Sequence, residues 1–179
     1  MAIADKKIDH VDMVIVGAGF AGMYMLYGAR ENGLSVRCFE AGDDVGGTWY
    51  WNRYPGARVD IECLEYSYSF SEELQNEWNW TERYAAQPEL LKYANHVADR
   101  YNMRENITFE TRVVSTIFNE DTNRWTVTTD AGEVVSAKFC VMATGLISAP
   151  VEPDFEGLES YTGEQYMTSR WPKEKIDFS

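Results

Sequence analysis

Three glycines set the first chemical expectation. Gly17, Gly19 and Gly22 form a G-x-G-x-x-G motif, with Phe20 and Ala21 inside it, directly after the apolar run Met13–Val16. The first glycine permits a tight turn out of a strand, and the second leaves the backbone bare for a pyrophosphate. The third lets the next helix pack closely, with its N-terminal amides and dipole facing the phosphate charge. About 20 residues beyond the motif comes Glu40, at the spacing where a carboxylate takes the hydroxyl pair of a ribose. Strand, helix, second strand and terminal acid stand in the required order, so the residues point to a bound dinucleotide. Ala143-Thr144-Gly145 closes a later apolar strand, and such small residues suggest backbone passing beside the same ligand. Asp60 ends a glycine- and aromatic-rich loop. A carboxylate there would be desolvated and would need an arginine or hydrogen bonds to stay charged, unless it is only a loop cap.

These groups need elements to position them. Met13–Val16 reads as a buried parallel strand, because it is continuously apolar rather than alternating. Met23–Arg30 continues as helix, Asn32-Gly33 stops it, and Ser35–Phe39 forms the second strand of a right-handed βαβ unit. Residues 1–11 are a polar lead-in. Residues 41–60 fit no amphipathic period, so they form an ordered loop with room for one short helical turn. Residues 87–102 form a helix with Pro88 near its start and Leu90, Leu91, Ala94, Val97, Ala98 and Tyr101 on one face. His96 reads as a surface or packing residue of that helix. Strands follow at 107–110, 113–118, 125–129 and 133–137, with 111–137 as a three-stranded meander and 138–142 as a final core strand. The fold class is therefore α/β: a Rossmann-like βαβ unit with a parallel sheet, plus a β-meander. Pro150 and Pro153 break regular structure, and residues 154–179 read as irregular.

Composition narrows the classes. The chain has 179 residues, 45% of them hydrophobic and 14% aromatic, enough for one domain or one domain plus part of another. A net charge of −13 speaks against nucleic acid and against an anionic membrane surface. A phosphate-rich ligand must then be held by backbone amides and a few local arginines. Cys38, Cys63 and Cys140 lack paired spacing, and only His10 and His96 offer imidazole, so neither a metal site nor a disulfide is expected. There is no signal-like segment and no apolar run of about 18 residues, so the expected location is the cytoplasm.

The glycine motif, GGTWYWNRYPGARVD over 46–60, the helix QPELLKYANHVADRY and the ATG turn together resemble Baeyer–Villiger monooxygenases, from Asp12 onward. The branch that includes phenylacetone monooxygenase is especially similar. The resemblance implies FAD bound by one dinucleotide domain and NADPH by a second. It also implies dioxygen and a small-molecule ketone as substrates, with esters or lactones formed through a flavin peroxide. It places Gly17, Gly19, Phe20, Ala21 and Gly22 at the FAD pyrophosphate and Glu40 at its ribose. Gly47, Thr48, Trp49, Tyr50 and Trp51 would border the flavin, with Asp60 and Tyr66 near its ring and Val113 at the adenine. Arg58 and Asp60 would lie where nicotinamide meets flavin, with Asp60 holding an arginine from later in such a chain.

Residues 12–148 are then the N-terminal part of an FAD-binding domain, and 149–179 a linker toward an NADPH domain. The family fingerprint appears as Tyr161-x-Gly163-x-x-x-Met167-x-x-x-Trp171-Pro172, with Met167 where the family has histidine. The chain stops where the second glycine motif is due, so a further region or a second chain is expected to complete the enzyme. The remaining piece should expose sheet edges and apolar surface. Two other readings stay open. One is an N- or S-oxidising flavin monooxygenase, against which the WYWNRYPGAR loop speaks. The other is a truncated, non-catalytic flavin-binding or partner-binding module.

Overall fold

The computed structural model describes residues 8–174, 176 and 177, and in it the apolar run at Met13–Val16 is the inner end of a longer strand. That strand, β1 (Asp9–Val16), takes in positions 9–11 of the expected lead-in; residues 1–7 lie outside the described residues. Helix α1 (Phe20–Glu31) follows, and β2 (Val36–Phe39) returns parallel to β1, with Met13 opposite Val36 and Val16 opposite Phe39. Asn32 donates its backbone N–H back into the helix and Gly33 sits at φ +68°, so the Asn-Gly stop works as its residue types dictate.

Three short helices fill the middle: α2 (Thr48–Trp51), α3 (Cys63–Tyr66) and α4 (Glu72–Glu77). The first is the helical turn expected within the 41–60 loop. The long helix α5 (Gln87–Arg100) stops two residues short of expectation, because Asn102 adopts a left-handed conformation with φ +48°. Its face Leu90, Ala94, Val97 and Ala98 is fully buried.

The strands join one six-stranded sheet in the order β3-β2-β1-β6-β5-β4. Strand β3 (Ile107–Thr108) is shorter than the expected 107–110. It pairs parallel with β2, and then Glu110, with φ +50°, turns its N–H to Gly42 O. Strands β4 (Val113–Asn119) and β5 (Arg124–Thr129) form the expected hairpin. The separate strands expected at 133–137 and 138–142 are one strand, β6 (Val134–Met142). Its first residues pair antiparallel with β5, while its whole length runs parallel to β1. The meander is thereby fused to the parallel sheet.

One expectation about β6 needs correction. Residues 138–142 are not a fully covered core strand, since Phe139 and Met142 are more than half exposed. The reason is the register: β5 leaves β6 after the Trp125–Ala137 pair, so Lys138–Met142 keeps a partner on the β1 side alone. The expected open edge and apolar surface are found here.

The core lies on both faces of the sheet. Met13, Ile15 and Cys38 pack with Met23 and Leu26 of α1 and with Tyr93, Ala94 and Val97 of α5. Val14 and Phe39 pack with Val127, Val135 and Ala137 on the other face. All three cysteines are free, and burial, with Glu40 nearby, pushes the Cys38 thiol up to about 12. Such a thiol is a small hydrophobe rather than a nucleophile. Among the described residues no helix is long and apolar enough to cross a membrane, and no cluster of His, Cys, Asp or Glu could hold a metal ion. The described residues between 149 and 177 are irregular apart from two single 3-10 turns, Leu158–Ser160 and Thr168–Arg170.

Asp12 ties three strand regions together at the end of the sheet opposite the glycine turn. Its carboxylate accepts from Lys138 Nζ at 2.7 Å, Ser35 Oγ at 2.6 Å and Ser35 N at 3.0 Å. Lys138 and the two Ser35 donors hold the Asp12 carboxyl well below the usual carboxylate range. A depressed folded value contributes stability at pH values above the unfolded value, about 3.9, and that contribution fades as acid protonates the group. Urea midpoints measured from pH 6 downwards should therefore fall on acidification, and Asp12→Asn should flatten part of that fall below about pH 4. An unchanged acid limb in the variant would remove Asp12 from the account.

Candidate functional site

Bare backbone from three segments meets at the mouth between β1 and β6. Gly17 leaves β1 at φ +103°, its N–H donating to Phe39 O at 2.8 Å. A Cβ on Gly17 would stand 2.6 Å from Ala143 O, so the Ala143-Thr144-Gly145 turn passes directly beside the glycine motif. A Cβ on Gly22 would stand 1.9 Å from Gly17 O, which is the close helix-on-turn packing expected of the third glycine. Gly19 caps α1, and Gly47 caps α2. Gly47 has φ +55°, and a Cβ on it would lie 2.7 Å from Gly19 Cα. The phosphate turn and the aromatic loop are therefore in backbone contact, further tied by Gly46 N donating to Ala18 O at 3.1 Å. No acidic residue occupies the first turn of α1, whose free amides carry roughly half a positive charge.

Glu40 locks this arrangement. It is buried at the end of β2, where Oε2 accepts from Ala18 N at 2.7 Å and Oε1 from Gly42 N at 2.8 Å. A carboxylate offers about four lone pairs, so two amide bonds leave capacity for hydroxyl donors. Phe20 and Ala21 follow at the start of α1. Ala18 and Gly46, which hold the turn and the loop together, are additions to the expected set. The Gly46-Gly47 dipeptide was the sequence signal for the second of them.

The aromatic loop divides. Trp49 is buried with Val59, Cys63, Ala85 and Leu90. Its indole N–H donates to Tyr66 Oη at 2.9 Å, and its carbonyl accepts from Gln87 Nε2. Burial raises the Tyr66 phenol, with a smaller contribution from the negative charge of Asp60. Tyr50 instead packs on Gly42, donates to Asp43 Oδ1 at 2.6 Å, and lies under the Arg53 guanidinium at 5.3 Å. Lys173, from the irregular C-terminal segment, reaches the same Asp43 at 3.3 Å. Thr48 and Trp51 are exposed on the outer side of the turn.

Asp60 departs from expectation: it is exposed rather than desolvated. Residues 57–60 alternate beside Ala85 and Ala86, so Ala57 and Val59 turn inward while Arg58 and Asp60 turn outward. Arg58 binds the Glu82 carboxylate and the Tyr84 carbonyl, anchoring this short ladder. Val113 begins β4 half-buried. The backbone leading to it is bound to the site, with Thr111 N on Glu40 O and Glu110 N on Gly42 O, both at 2.9 Å. His96 lies apart, 3.7 Å from Glu77 and against the Trp78 ring. A groove of about 330 Å³ between Trp78, Pro88 and Lys92 shares no residue with the cradle.

A family model described as pyridine nucleotide-disulphide oxidoreductase matches residues 14–177. The chain belongs to this family. Acetone monooxygenase (methyl acetate-forming) of Gordonia sp. (strain TY-5) is 45% identical over 94% of this chain and 32% of its own. A phenazine N-monooxygenase of Lysobacter antibioticus is 43% identical over 94% of this chain and 31% of its own. Among solved structures, an oxidised steroid monooxygenase bound to NADP is 54% identical and superposes with a TM-score of 0.89. That match covers 95% of this chain and 33% of the steroid monooxygenase. The chain thus spans about a third of the length of these relatives. In the fingerprint segment, Tyr161 packs over Gly163, and half-buried Met167 caps the turn Thr168–Arg170.

The backbone contact between Gly19 and Gly47 yields a stability test. Gly47→Ala combines left-handed strain with a clash against backbone, and should cost about 2–4 kcal/mol. Gly56→Ala, at φ +82° with nothing within 4 Å of the added carbon, should cost about 1 kcal/mol. Urea unfolding of both variants checks the order; equal losses would mean that the contact does not constrain the loop.

Proposed function

We propose that this chain is the FAD-binding N-terminal segment of an NADPH- and dioxygen-dependent Baeyer–Villiger monooxygenase, which converts small-molecule ketones to esters or lactones. The observation that carries the reading is the bare-backbone cradle where Gly17, Gly19, Gly22 and Gly47 meet the Ala143 turn so closely that a Cβ on Gly17, Gly22 or Gly47 would strike backbone, bordered by the buried Glu40 carboxylate. It fits a pyrophosphate beside a ribose. In this reading the amides of Phe20 and Ala21 at the start of α1, with the Ala143-Thr144-Gly145 turn, hold the phosphates. Glu40 keeps its two amide donors and accepts from the ribose hydroxyls, while Val113 backs the adenine. Thr48, Trp49, Tyr50, Trp51 and Tyr66 bound the flavin region, where buried Trp49 and half-buried Tyr66 limit access of water.

Bound FAD would supply the hydride-accepting and dioxygen-activating chemistry that no side chain of this protein possesses. Arg58 and Asp60 stand outward at the edge of that region, where Asp60 is free to hold a cation brought by further polypeptide. Residues 12–148 form the FAD-binding part and 149–179 the linker. Polypeptide equivalent to the unspanned two thirds of the relatives, in the same chain or a second one, supplies the NADPH site.

The phenazine N-monooxygenase supports a second reading, oxidation at nitrogen. Its identity to this chain nearly equals that of the acetone enzyme. The aromatic loop is therefore a weaker discriminator than its residues suggest. Product analysis of the completed enzyme with a ketone and with an aromatic N-heterocycle separates the two.

Three measurements test the cofactors. The purified chain with added FAD should retain flavin absorbance after gel filtration, and a colourless protein would contradict the reading. Glu40→Ala should weaken FAD binding by about 1–3 kcal/mol, the loss of charge-assisted hydrogen bonds. Unchanged affinity would remove Glu40 from the site. NADPH added to the FAD-loaded chain alone should leave the flavin absorbance unbleached; rapid bleaching would show that these residues already contain a complete NADPH site.

A further inference from the structure

A run of aromatic rings leaves the candidate site and ends at the surface. Trp49 donates its indole N–H to Tyr66 Oη, with ring centroids 6.0 Å apart. Tyr66 meets Phe20 at 5.0 Å, and Phe20 meets Tyr68 at 5.4 Å. Tyr68 stacks with Tyr24 at 6.4 Å and only 13° between planes, and Tyr24 is 54% exposed. A second branch joins the same junction. Trp78 and Trp80 lie 5.2 and 5.0 Å from Tyr93, which is 6.1 Å from Tyr68. We propose that these rings form a hole-transfer relay, carrying a one-electron oxidation from the inner tryptophans to Tyr24 at the surface.

The chemistry of the rings sets the direction. Indole and phenol give up one electron far more readily than phenyl, so the tryptophans and tyrosines are stations and Phe20 is a bridge. Tunnelling falls off exponentially with distance, so a series of ring contacts outruns one long jump. An indole cation holds its charge briefly with its proton in place, whereas an oxidised phenol must lose its proton. The Tyr68 hydroxyl donates to Phe20 O at 2.6 Å, and burial raises this phenol further. A carbonyl is not a base, so the hole does not rest at Tyr68. Tyr24 faces water, which takes its proton.

The balance closes. The oxidant removes one electron from Trp49, or from Trp78 or Trp80 on the other branch. An electron from Tyr24 refills the indole, Tyr24 loses its phenolic proton to water, and a neutral phenoxyl remains. A dissolved thiol then returns one hydrogen atom to Tyr24 and leaves as a thiyl radical. In an enzyme that handles dioxygen, the oxidant is an oxygen-centred radical escaping from the site. Only this source of the oxidant rests on the proposed function; the relay itself does not.

Pulse radiolysis of the full chain without added flavin tests it, using azide radical, which oxidises tryptophan in preference to tyrosine at neutral pH. The tryptophanyl absorption should decay as phenoxyl absorption grows, at a rate independent of protein concentration. Tyr24→Phe keeps the stacked ring and, with an unchanged urea midpoint, should lower the late phenoxyl yield severalfold and prolong the tryptophanyl radical. Tyr161→Phe, an exposed tyrosine outside the ring series, should change neither. A phenoxyl yield unaltered by Tyr24→Phe, or a transfer rate that scales with protein concentration, would overturn the relay. A protein that passes this test yet fails to retain FAD keeps the relay and loses the cofactor reading; the reverse outcome loses the relay alone.

Discussion

One carboxylate and a close backbone contact hold the candidate site together. Glu40 is buried at the end of β2 and takes an amide hydrogen bond from each side, from Ala18 in the glycine turn and from Gly42 in the following loop. Gly19 and Gly47 then bring the caps of α1 and α2 into contact with no side chain between them. A buried carboxylate without such donors would be costly, and its loss would leave two amides unpaired. The cradle is therefore shaped before any ligand arrives, the condition for binding without a large ordering cost.

This arrangement also answers the charge problem. With a net charge of −13 the protein repels a polyanion at long range. Attraction has to come from oriented amides at short range, which act within the first helical turn and are little affected by distant charge. The acid-free first turn of α1 serves the same purpose. The pairing of Asp12 with Lys138 and of Arg37 with Glu133 uses up charge elsewhere on the sheet, away from the phosphate turn.

Much of this was legible in the sequence because it is local. The βαβ unit, the stop at Asn32-Gly33, the apolar face of α5 and the short helix in the 41–60 loop each follow from neighbouring residues. What was not legible depends on distant partners. The continuity of β6 rests on its pairing with β1, more than a hundred residues earlier in the chain. The exposure of Asp60 rests on the register of 57–60 beside Ala85 and Ala86, which turns alternate residues outward. Ala18 is an unremarkable residue type whose importance lies wholly in its N–H. Such backbone roles leave no signature in side-chain chemistry.

In the proposed reading the anionic ligand sits on the backbone of the glycine cradle. Amide NMR of the labelled chain titrated with FAD measures this directly. The largest shifts should fall on Ala18, Gly19, Phe20, Ala21 and Thr144, with Gly42 and Gly47 following. Shifts gathered instead around the Trp78–Lys92 groove, with the amides of 18–21 unmoved, would contradict it.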